Sequence, residues 1–219
     1  MRYVPPLPDR CPPASRLVPA ILAMTLVVLA SNILVQFPMG AWLTWGALTY
    51  PFAFLVADLT NRIHGAPAAR RVVVAGFVTG ILCSFAGSLI EGEAGALVTR
   101  RIALGSGLAY LCGQMTDVSI FTLLRGRSWW QAPLVSTLVS STLDTALFFS
   151  IAFSATFVFL EPGNDVAWAG GATALLGFGP ALPYWVSLAV ADWSVKLALA
   201  LVALVPFRLI VARYIARLA

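Results

Sequence analysis

The chain has 219 residues, of which 60% are apolar and only 11% are charged, and its mean hydropathy is +0.89. Such a composition excludes a water-soluble globular domain and predicts a membrane protein. The net charge of +5 does not indicate a nucleic-acid-binding protein, because the basic residues stand singly or in pairs between apolar segments and form no dense stripe for phosphates.

The amino-terminal segment 1–16 contains five prolines and three arginines, which predicts a cytoplasmic tail without a packed core. The apolar run after it imitates a signal peptide through its Val28-Leu29-Ala30 sequence. The run continues through Val35, which is longer than a typical signal core, so we predict a retained first helix. Residues 17–219 are predicted to form a single six-helix transmembrane domain.

Six segments are apolar over about the 20 residues that a helix needs to cross hydrocarbon. Of the 14 Lys and Arg residues, 11 lie on the side of both termini, two (Arg100 and Arg101) lie on the other side, and Lys196 lies inside a helix. This bias predicts cytoplasmic termini. We expect the protein to be a multi-pass protein of the cell inner membrane. The predicted fold class is an all-α polytopic membrane protein, with transmembrane helices at 17–36, 44–60, 71–90, 102–124, 130–158 and 184–206.

Segment 166–183 carries no charge and is long enough for a seventh helix. Its four glycines, together with Pro180 and Pro183 near its end, favour a re-entrant or interfacial loop. A seventh span would also place Arg208 and Arg213 outside the cell, against the bias of the other basic residues. We therefore predict a loop here, with the seventh span as the alternative.

Small residues recur every fourth position in the third predicted helix, at Gly76, Gly80, Ser84, Ser88 and Gly92. Such a stripe lets another helix backbone approach closely. The partner is either a helix of the same chain or a second copy of the protein, so the stripe offers a homodimer interface as the second alternative.

Five ionisable residues lie inside apolar segments, and each would cost about 2.5 to 3.5 kcal/mol if it were ionised at the centre of a lipid-exposed helix. Turning them toward one another around a polar cavity removes most of this cost. Two alternatives remain: Asp192 and Lys196 have the spacing of a self-neutralising ion pair, and Asp58 can pair with Arg62 at the interface. The five residues are Asp58, Asp117, Asp144, Asp192 and Lys196.

Further polar and aromatic side chains share helix faces with these acids. Amides and carboxylates beside aromatic rings suit a flat heteroaromatic solute, held by stacking and by hydrogen bonds at its edge. For two of the amides, Asn32 and Gln114, a hydrogen bond between helices is the alternative. The residues are Asn32 and Gln36 in the first helix, Tyr110 and Gln114 in the fourth, and Phe148 in the fifth.

Signatures of enzymes and metal sites are absent from the sequence. The single histidine, His64, lies in a predicted loop, and no HExxH or GxSxG motif occurs. The three cysteines form no CxxC pair. We therefore predict no catalytic residues, no metal and no cofactor.

Taken together, several sequence blocks resemble the VUT or YhhQ family of queuosine-precursor transporters, over nearly the whole chain after the tail. No single block is specific, but their order along the chain is. The blocks are SNILVQ (31–36), YPF (50–52) with Asp58-Leu59, RIAL (101–104), Ala109-Tyr110, Gly113-Gln114, Asp117, Phe121, Trp129-Trp130, Asp144-Thr145 and FFSIAF (148–153).

The resemblance implies import of 7-cyano-7-deazaguanine, and of its aminomethyl relative, for salvage of the tRNA nucleoside queuosine. A carboxylate can accept hydrogen bonds from N1–H and the 2-amino group of such a base, and we expect Asp117 or Asp144 to do so. The candidate substrate-binding residues are Asn32, Gln36, Asp58, Arg101, Tyr110, Gln114, Asp117, Asp144, Phe148, Asp192, Trp193 and Lys196.

Two departures limit what the resemblance implies: Arg62 stands where many family members have an acid, and the glycine-rich insert at 161–183 is longer than usual. The principal alternative function is a solute-binding membrane subunit of an energy-coupling-factor transporter, which captures solute for a partner ATPase. An exposed AxxxA stripe on the first helix would favour this alternative. The sequence has none, because Met24 and Val27 interrupt the candidate positions.

Overall fold

A computed structural model describes residues 12–92, 95–163 and 166–216, so most of the predicted tail lies outside the described residues. The α-helices are α1 (Ala14–Leu34), α2 (Trp45–Thr49), α3 (Phe52–His64), α4 (Ala66–Ser88), α5 (Arg100–Leu124), α6 (Gln131–Phe153), α7 (Ala167–Gly170) and α8 (Tyr184–Ala216). Short antiparallel hairpins pair β1 (Pro38–Met39) with β2 (Leu43–Thr44), β3 (Glu91–Gly92) with β4 (Gly95–Ala96), and β5 (Ala172–Ala174) with β6 (Ala181–Pro183). Turns of 3₁₀ helix lie at Ala155–Leu160 and Leu175–Gly177.

Five helices of the described chain are long and apolar enough to cross a membrane, namely α1, α4, α5, α6 and α8. The prediction of an all-α membrane protein is therefore confirmed. Large apolar side chains such as Leu26, Phe85 and Val202 are exposed on the outside of the bundle, where lipid rather than water suits them.

The second predicted helix, 44–60, is wrong as a single element, because the chain breaks between α2 and α3 at Tyr50 and Pro51. Proline has no backbone N–H and clashes with the preceding helical turn, so α2 cannot continue through it. The hydrogen bond from Tyr50 N to Gly46 O (3.0 Å) closes α2, and a turn follows in which Ala53 N donates to Tyr50 O (2.9 Å). The break places Tyr50 at the end of α2, two residues before α3 begins.

The remaining helices differ from their predicted bounds mainly at the ends. Helix α4 begins at Ala66, directly after Gly65 with its positive φ of 86°, and so includes Arg70 and Arg71. Helix α6 ends at Phe153, and α8 continues ten residues past its predicted end at Pro206. Segment 166–183 contains α7, a 3₁₀ turn and the β5–β6 hairpin, and no spanning helix, in agreement with the predicted loop.

The core of the bundle lies where α1, α3, α4 and α5 meet, and Met24, Ala57, Val72, Val73 and Val118 are fully buried there. The small residues of α4 allow this close packing. A Cβ atom at Gly76 would lie 2.7 Å from Met24 Cγ and one at Gly80 would lie 3.7 Å from Val28 Cγ1. This part of the small-residue stripe therefore packs inside the molecule, and the homodimer stays a prediction.

One end of the bundle gathers basic side chains around the carboxyl ends of α3, α5 and α8. Arg62 Nη1 donates to Arg125 O (2.8 Å), and Arg125 Nη2 donates to Arg62 O (2.6 Å). Arg208 of α8 stacks on Trp129, 5.0 Å from the ring centroid. Cations are favourable at the carboxyl ends of helices, because the last carbonyl groups there lack partners within the helix. We call this end the basic end.

Candidate functional site

A cavity of about 540 Å³ lies inside the bundle, between α1, α2, α4, α5, α6 and α8. It extends from Asp144 and Lys196 to Trp42 in the β1–β2 hairpin and to Tyr184 at the start of α8. This volume is in the range of pockets that enclose small organic ligands. Both polar and aromatic side chains line it.

Three charged side chains meet at one wall of the cavity. Lys196 Nζ on α8 lies 2.6 Å from Asp144 Oδ2 on α6 and 2.6 Å from Asp192 Oδ2 on α8. Thr145 Oγ1 accepts a hydrogen bond from Lys196 (2.9 Å) and donates to Asp192 Oδ2 (3.0 Å). One ammonium group therefore faces two carboxylates, and the cluster carries a net charge of about −1 when all three are ionised.

Tyr50 completes this cluster from the break between α2 and α3. Its hydroxyl donates to Asp144 Oδ1 (2.9 Å), and its ring lies 5.2 Å below the Lys196 ammonium group, measured to the ring centroid. Asp144 is thus held from both sides, with only 3% of its surface exposed. Because hydrogen bonds to a buried carboxylate fix its position as well as its charge, Asp144 is preorganised to accept donors from a ligand.

Several aromatic side chains, together with aliphatic and polar ones, line the remainder of the cavity. Phe148, Phe149 and Phe153 of α6 contact one another, and Trp168 of α7 contacts both Phe153 and Tyr184 with ring centroids 5.6 and 6.2 Å apart. The Tyr184 hydroxyl donates to the carbonyl of Ala41. The start of α8 therefore contacts the β1–β2 hairpin at this end of the cavity.

Seven of the predicted substrate-binding residues line the cavity. The interpretation of Asp192 and Lys196 as a self-contained ion pair does not describe the geometry, because Asp144 shares the ammonium group equally. Asn32 donates to Val28 O (2.9 Å) of its own helix, and within the described part of the chain it has no hydrogen bond to another helix. The seven residues are Asn32, Gln36, Tyr110, Asp144, Phe148, Asp192 and Lys196.

Five predicted residues lie outside the lining of this cavity, and their role in binding substrate stays a prediction. Arg101 is buried with its guanidinium group donating to Ile151 O and Ser154 O at the end of α6. Trp193 donates to Thr142 Oγ1 (2.9 Å) on the exposed side of α6. The other three, Asp58, Gln114 and Asp117, lie deeper in the bundle and are at most 3% exposed.

Asp58 and Asp117 lie close to each other, on α3 and α5, within hydrogen-bonding reach. The expected pairing of Asp58 with Arg62 is not among the salt bridges of the described residues. Ser140 Oγ on α6 donates to Asp117 Oδ1 (3.2 Å). Gln114 is completely buried, and neither of its amide atoms has a hydrogen-bond partner among the described residues.

Sequence reasoning missed Tyr50, Thr145 and Trp168 as site residues. Tyr50 and Thr145 belong to sequence blocks that support the family resemblance. Those blocks marked the two residues as typical of the family but did not indicate that they contact the charged cluster. Trp168 lies in a segment interpreted only as a loop, where no helical periodicity indicates which side chains face inward.

Comparison with known proteins agrees with a transporter. Residues 44–211 match the family described as "Putative vitamin uptake transporter". The "Queuosine precursor transporter" of Escherichia coli K12 is 37% identical over 196 residues, covering 83% of this chain and 79% of that protein. The "Probable queuosine precursor transporter" of Haemophilus influenzae is 37% identical over 153 residues, covering 58% of this chain and 65% of that protein.

A more distant relative, the "Probable queuosine precursor transporter" of Bacillus subtilis, is 27% identical over 183 residues, covering 75% of this chain and 70% of that protein. No solved structure matches the chain significantly. The family match covers well over half of the chain and includes the cavity walls formed by α2, α4, α5, α6 and α8, but not α1 or most of the β1–β2 hairpin. With its apolar helices and enclosed polar cluster, the chain is a multi-pass membrane protein that belongs to the vitamin uptake transporter family.

Proposed function

We propose that this protein imports a queuosine precursor, 7-cyano-7-deazaguanine or its aminomethyl relative, across the cell inner membrane. The observation that carries the proposal is the cluster of Asp144, Asp192 and Lys196, which faces a cavity with aromatic walls. The relatives named as queuosine precursor transporters support the choice of substrate.

The cluster has the chemistry to hold the polar edge of a guanine-like base. Such a base presents two adjacent donors, N1–H and the 2-amino group, and a carboxylate offers two acceptor oxygens. Asp144 is the better candidate for this role than Asp117, because Asp144 lines the cavity and Asp117 does not. Phe148 and Phe149 supply rings on which the bicyclic base can stack.

We further propose six crossings, with both termini in the cytoplasm. In this arrangement α2 and α3 together form the second crossing, broken at Tyr50. Helix breaks beside a substrate site are common in transporters, where unwound backbone is tolerated only if it lines a cavity. The basic end, with Arg62, Arg125 and Arg208, then faces the cytoplasm, as expected from the distribution of positive charge.

The test is uptake of labelled 7-cyano-7-deazaguanine by cells that cannot make this precursor, with queuosine in tRNA as the readout. We expect the wild type to restore uptake and queuosine in tRNA. Asp144→Asn should reduce uptake because it weakens binding of the base. Loss of a charge-assisted hydrogen bond costs about 1.5 to 3 kcal/mol, or about tenfold or more in Kd. In this variant Asp192 still neutralises Lys196, so the fold should persist.

Glu91→Gln is the matched control, since it removes a carboxylate from an exposed hairpin and should leave uptake unchanged. Normal uptake by Asp144→Asn would contradict the proposed site. Uptake by the purified protein alone in liposomes separates a transporter from a solute-binding subunit, which would bind the base but need a partner ATPase to move it.

A further inference from the structure

The contact between Asp58 and Asp117 is chemically unusual. Asp58 is 3% exposed, Asp117 is 0% exposed, and both lie well inside the bundle. Two ionised carboxylates in contact repel each other strongly in a medium from which water is excluded. A pair in this geometry is stable when one carboxyl group carries a proton and donates it to the other.

Arg62 attracts Asp58 at a distance, but no cation among the described residues forms a salt bridge with either acid. Both salt bridges of the described residues belong to Lys196 and involve neither acid. On α3 the nearest charge is Arg62, one turn away, and its guanidinium group donates to Arg125 O. From α5 the neutral Gln114 lies one turn from Asp117, and α6 presents the hydroxyls of Ser136, Thr137 and Ser140.

Each acid has a buried carboxylate oxygen that receives no hydrogen bond from a donor among the described residues, and a small void lies beside Asp58. Asp58 Oδ1 and Asp117 Oδ2 are buried without a hydrogen-bond partner among the described residues. A void of about 20 Å³ is lined by Asp58 of α3 and Thr137 of α6, and on the α8 side only by apolar residues such as Ala200 and Phe207. This space is sufficient for about one water molecule, which can carry a proton to or from the pair.

This site is separate from the substrate cavity but shares helices with it. The two cavities have no lining residue in common. Ser140, which donates to Asp117, lies one helical turn before Asp144 on α6. On α5, Gly113 lies one turn before Asp117, and a Cβ atom there would lie 2.9 Å from Asp144 Cβ. A shift of α5 against α6 would therefore change the surroundings of Asp117 and of Asp144 at the same time.

We propose that Asp58 and Asp117 form a proton-binding site that couples uptake to the proton gradient. The pair takes up one proton from the outer side and releases it on the cytoplasmic side, so that the proton moves with the substrate. This inference rests on the proposed function for its substrate. It adds a second site whose ligand is the proton and which does not contact the base.

The transport test uses purified protein in liposomes and labelled 7-cyano-7-deazaguanine. With an acidic outer solution, the wild type and Glu91→Gln should accumulate the base, and a protonophore should abolish the accumulation. Asp58→Asn and Asp117→Asn should lose accumulation but keep exchange of labelled for unlabelled base without a gradient. The proposal would be overturned if accumulation by the wild type did not depend on the proton gradient, or if accumulation persisted in both variants.

Exchange without a gradient tests the proposed function separately, because it needs the substrate site and no proton movement. Infrared difference spectra recorded during a pH titration without substrate test the proton site by itself. The wild type and Glu91→Gln should show the carbonyl band of a protonated carboxyl group, and both Asn variants should lose it. An unchanged band in the variants would refute the shared proton even if the transported solute proved to be different.

Discussion

Lys196 shows how a single side chain makes a charged site tolerable inside hydrocarbon. It is 4% exposed and contacts two carboxylates, a threonine hydroxyl and the Tyr50 ring. Each of these contacts replaces part of the hydration that the ammonium group loses on burial. Because the two acids share one cation, the cluster keeps a negative charge that is available to a ligand.

Replacement of Lys196 by Met should destabilise the protein strongly, because Asp144 and Asp192 would then face each other unpaired. Removing one partner of a buried ion pair costs about 3 to 5 kcal/mol. Thermal unfolding in detergent should show a lowered midpoint for Lys196→Met. The double variant Lys196→Met with Asp144→Asn should recover part of the loss, and an equal midpoint for the two variants would contradict a charge effect.

At the residue scale the sequence identified the acids and the lysine, because the cost of placing ionised groups in lipid constrains where they can lie. The same energetic cost applies to both groups of acids and does not distinguish them. Asp144 and Asp117 have similar apolar neighbours in sequence, yet one lines the cavity and the other contacts Asp58. That difference depends on helix rotation, which no local pattern fixes.

Helices α4 and α5 show how small residues set the packing of elements. A Cβ atom at Gly76 would lie 2.0 Å from the Tyr110 hydroxyl, which donates to Val73 O (3.2 Å) on the same helix as Gly76. The glycine thus leaves the space in which a cavity-lining tyrosine is anchored. Periodicity predicted a stripe of small residues, but not that it accommodates Tyr110.

Gly76→Ala should displace Tyr110 and cost about 1 to 3 kcal/mol, the usual effect of overpacking a tight core. The matched control is Gly107→Ala, where the nearest atom, Phe77 Cε2, is 3.6 Å from the added Cβ. Since alanine favours helix over glycine, this control should be neutral or stabilising. Unfolding midpoints in detergent provide the measurement. Equal effects of the two substitutions would show that the Tyr110 side chain moves aside without a cost in stability.

Five of the six predicted long helices could be identified from apolar length alone, because hydrocarbon thickness fixes a minimum span. The second predicted helix, 44–60, is instead divided into α2 and α3. The break at Pro51 could have been predicted too, since proline interrupts a helical ladder. The fold of 166–183 could not, because its short helix and hairpin depend on contacts with distant elements. One example is the hydrogen bond from Leu176 N to Ser187 Oγ (3.1 Å).

For the whole molecule, the proposed topology predicts opposite accessibility at the two ends of the bundle. In a variant whose native cysteines are replaced, Arg127→Cys should react with a membrane-impermeant thiol reagent only after the cells are opened. Glu91→Cys should react in intact cells. Reaction of both cysteines from the same side would contradict the six crossings.

Helix α8 runs as one continuous helix between the two ends of the substrate cavity. Its first residue, Tyr184, is tied to the carbonyl of Ala41, and twelve residues later Lys196 holds the acids. That is about 18 Å of helix, or just over three turns. A tilt of α8 that separates Tyr184 from Ala41 must therefore also displace the Lys196 ammonium group. Opening this end of the cavity to a solute is thus coupled to the position of the charged groups that face the solute at the other end.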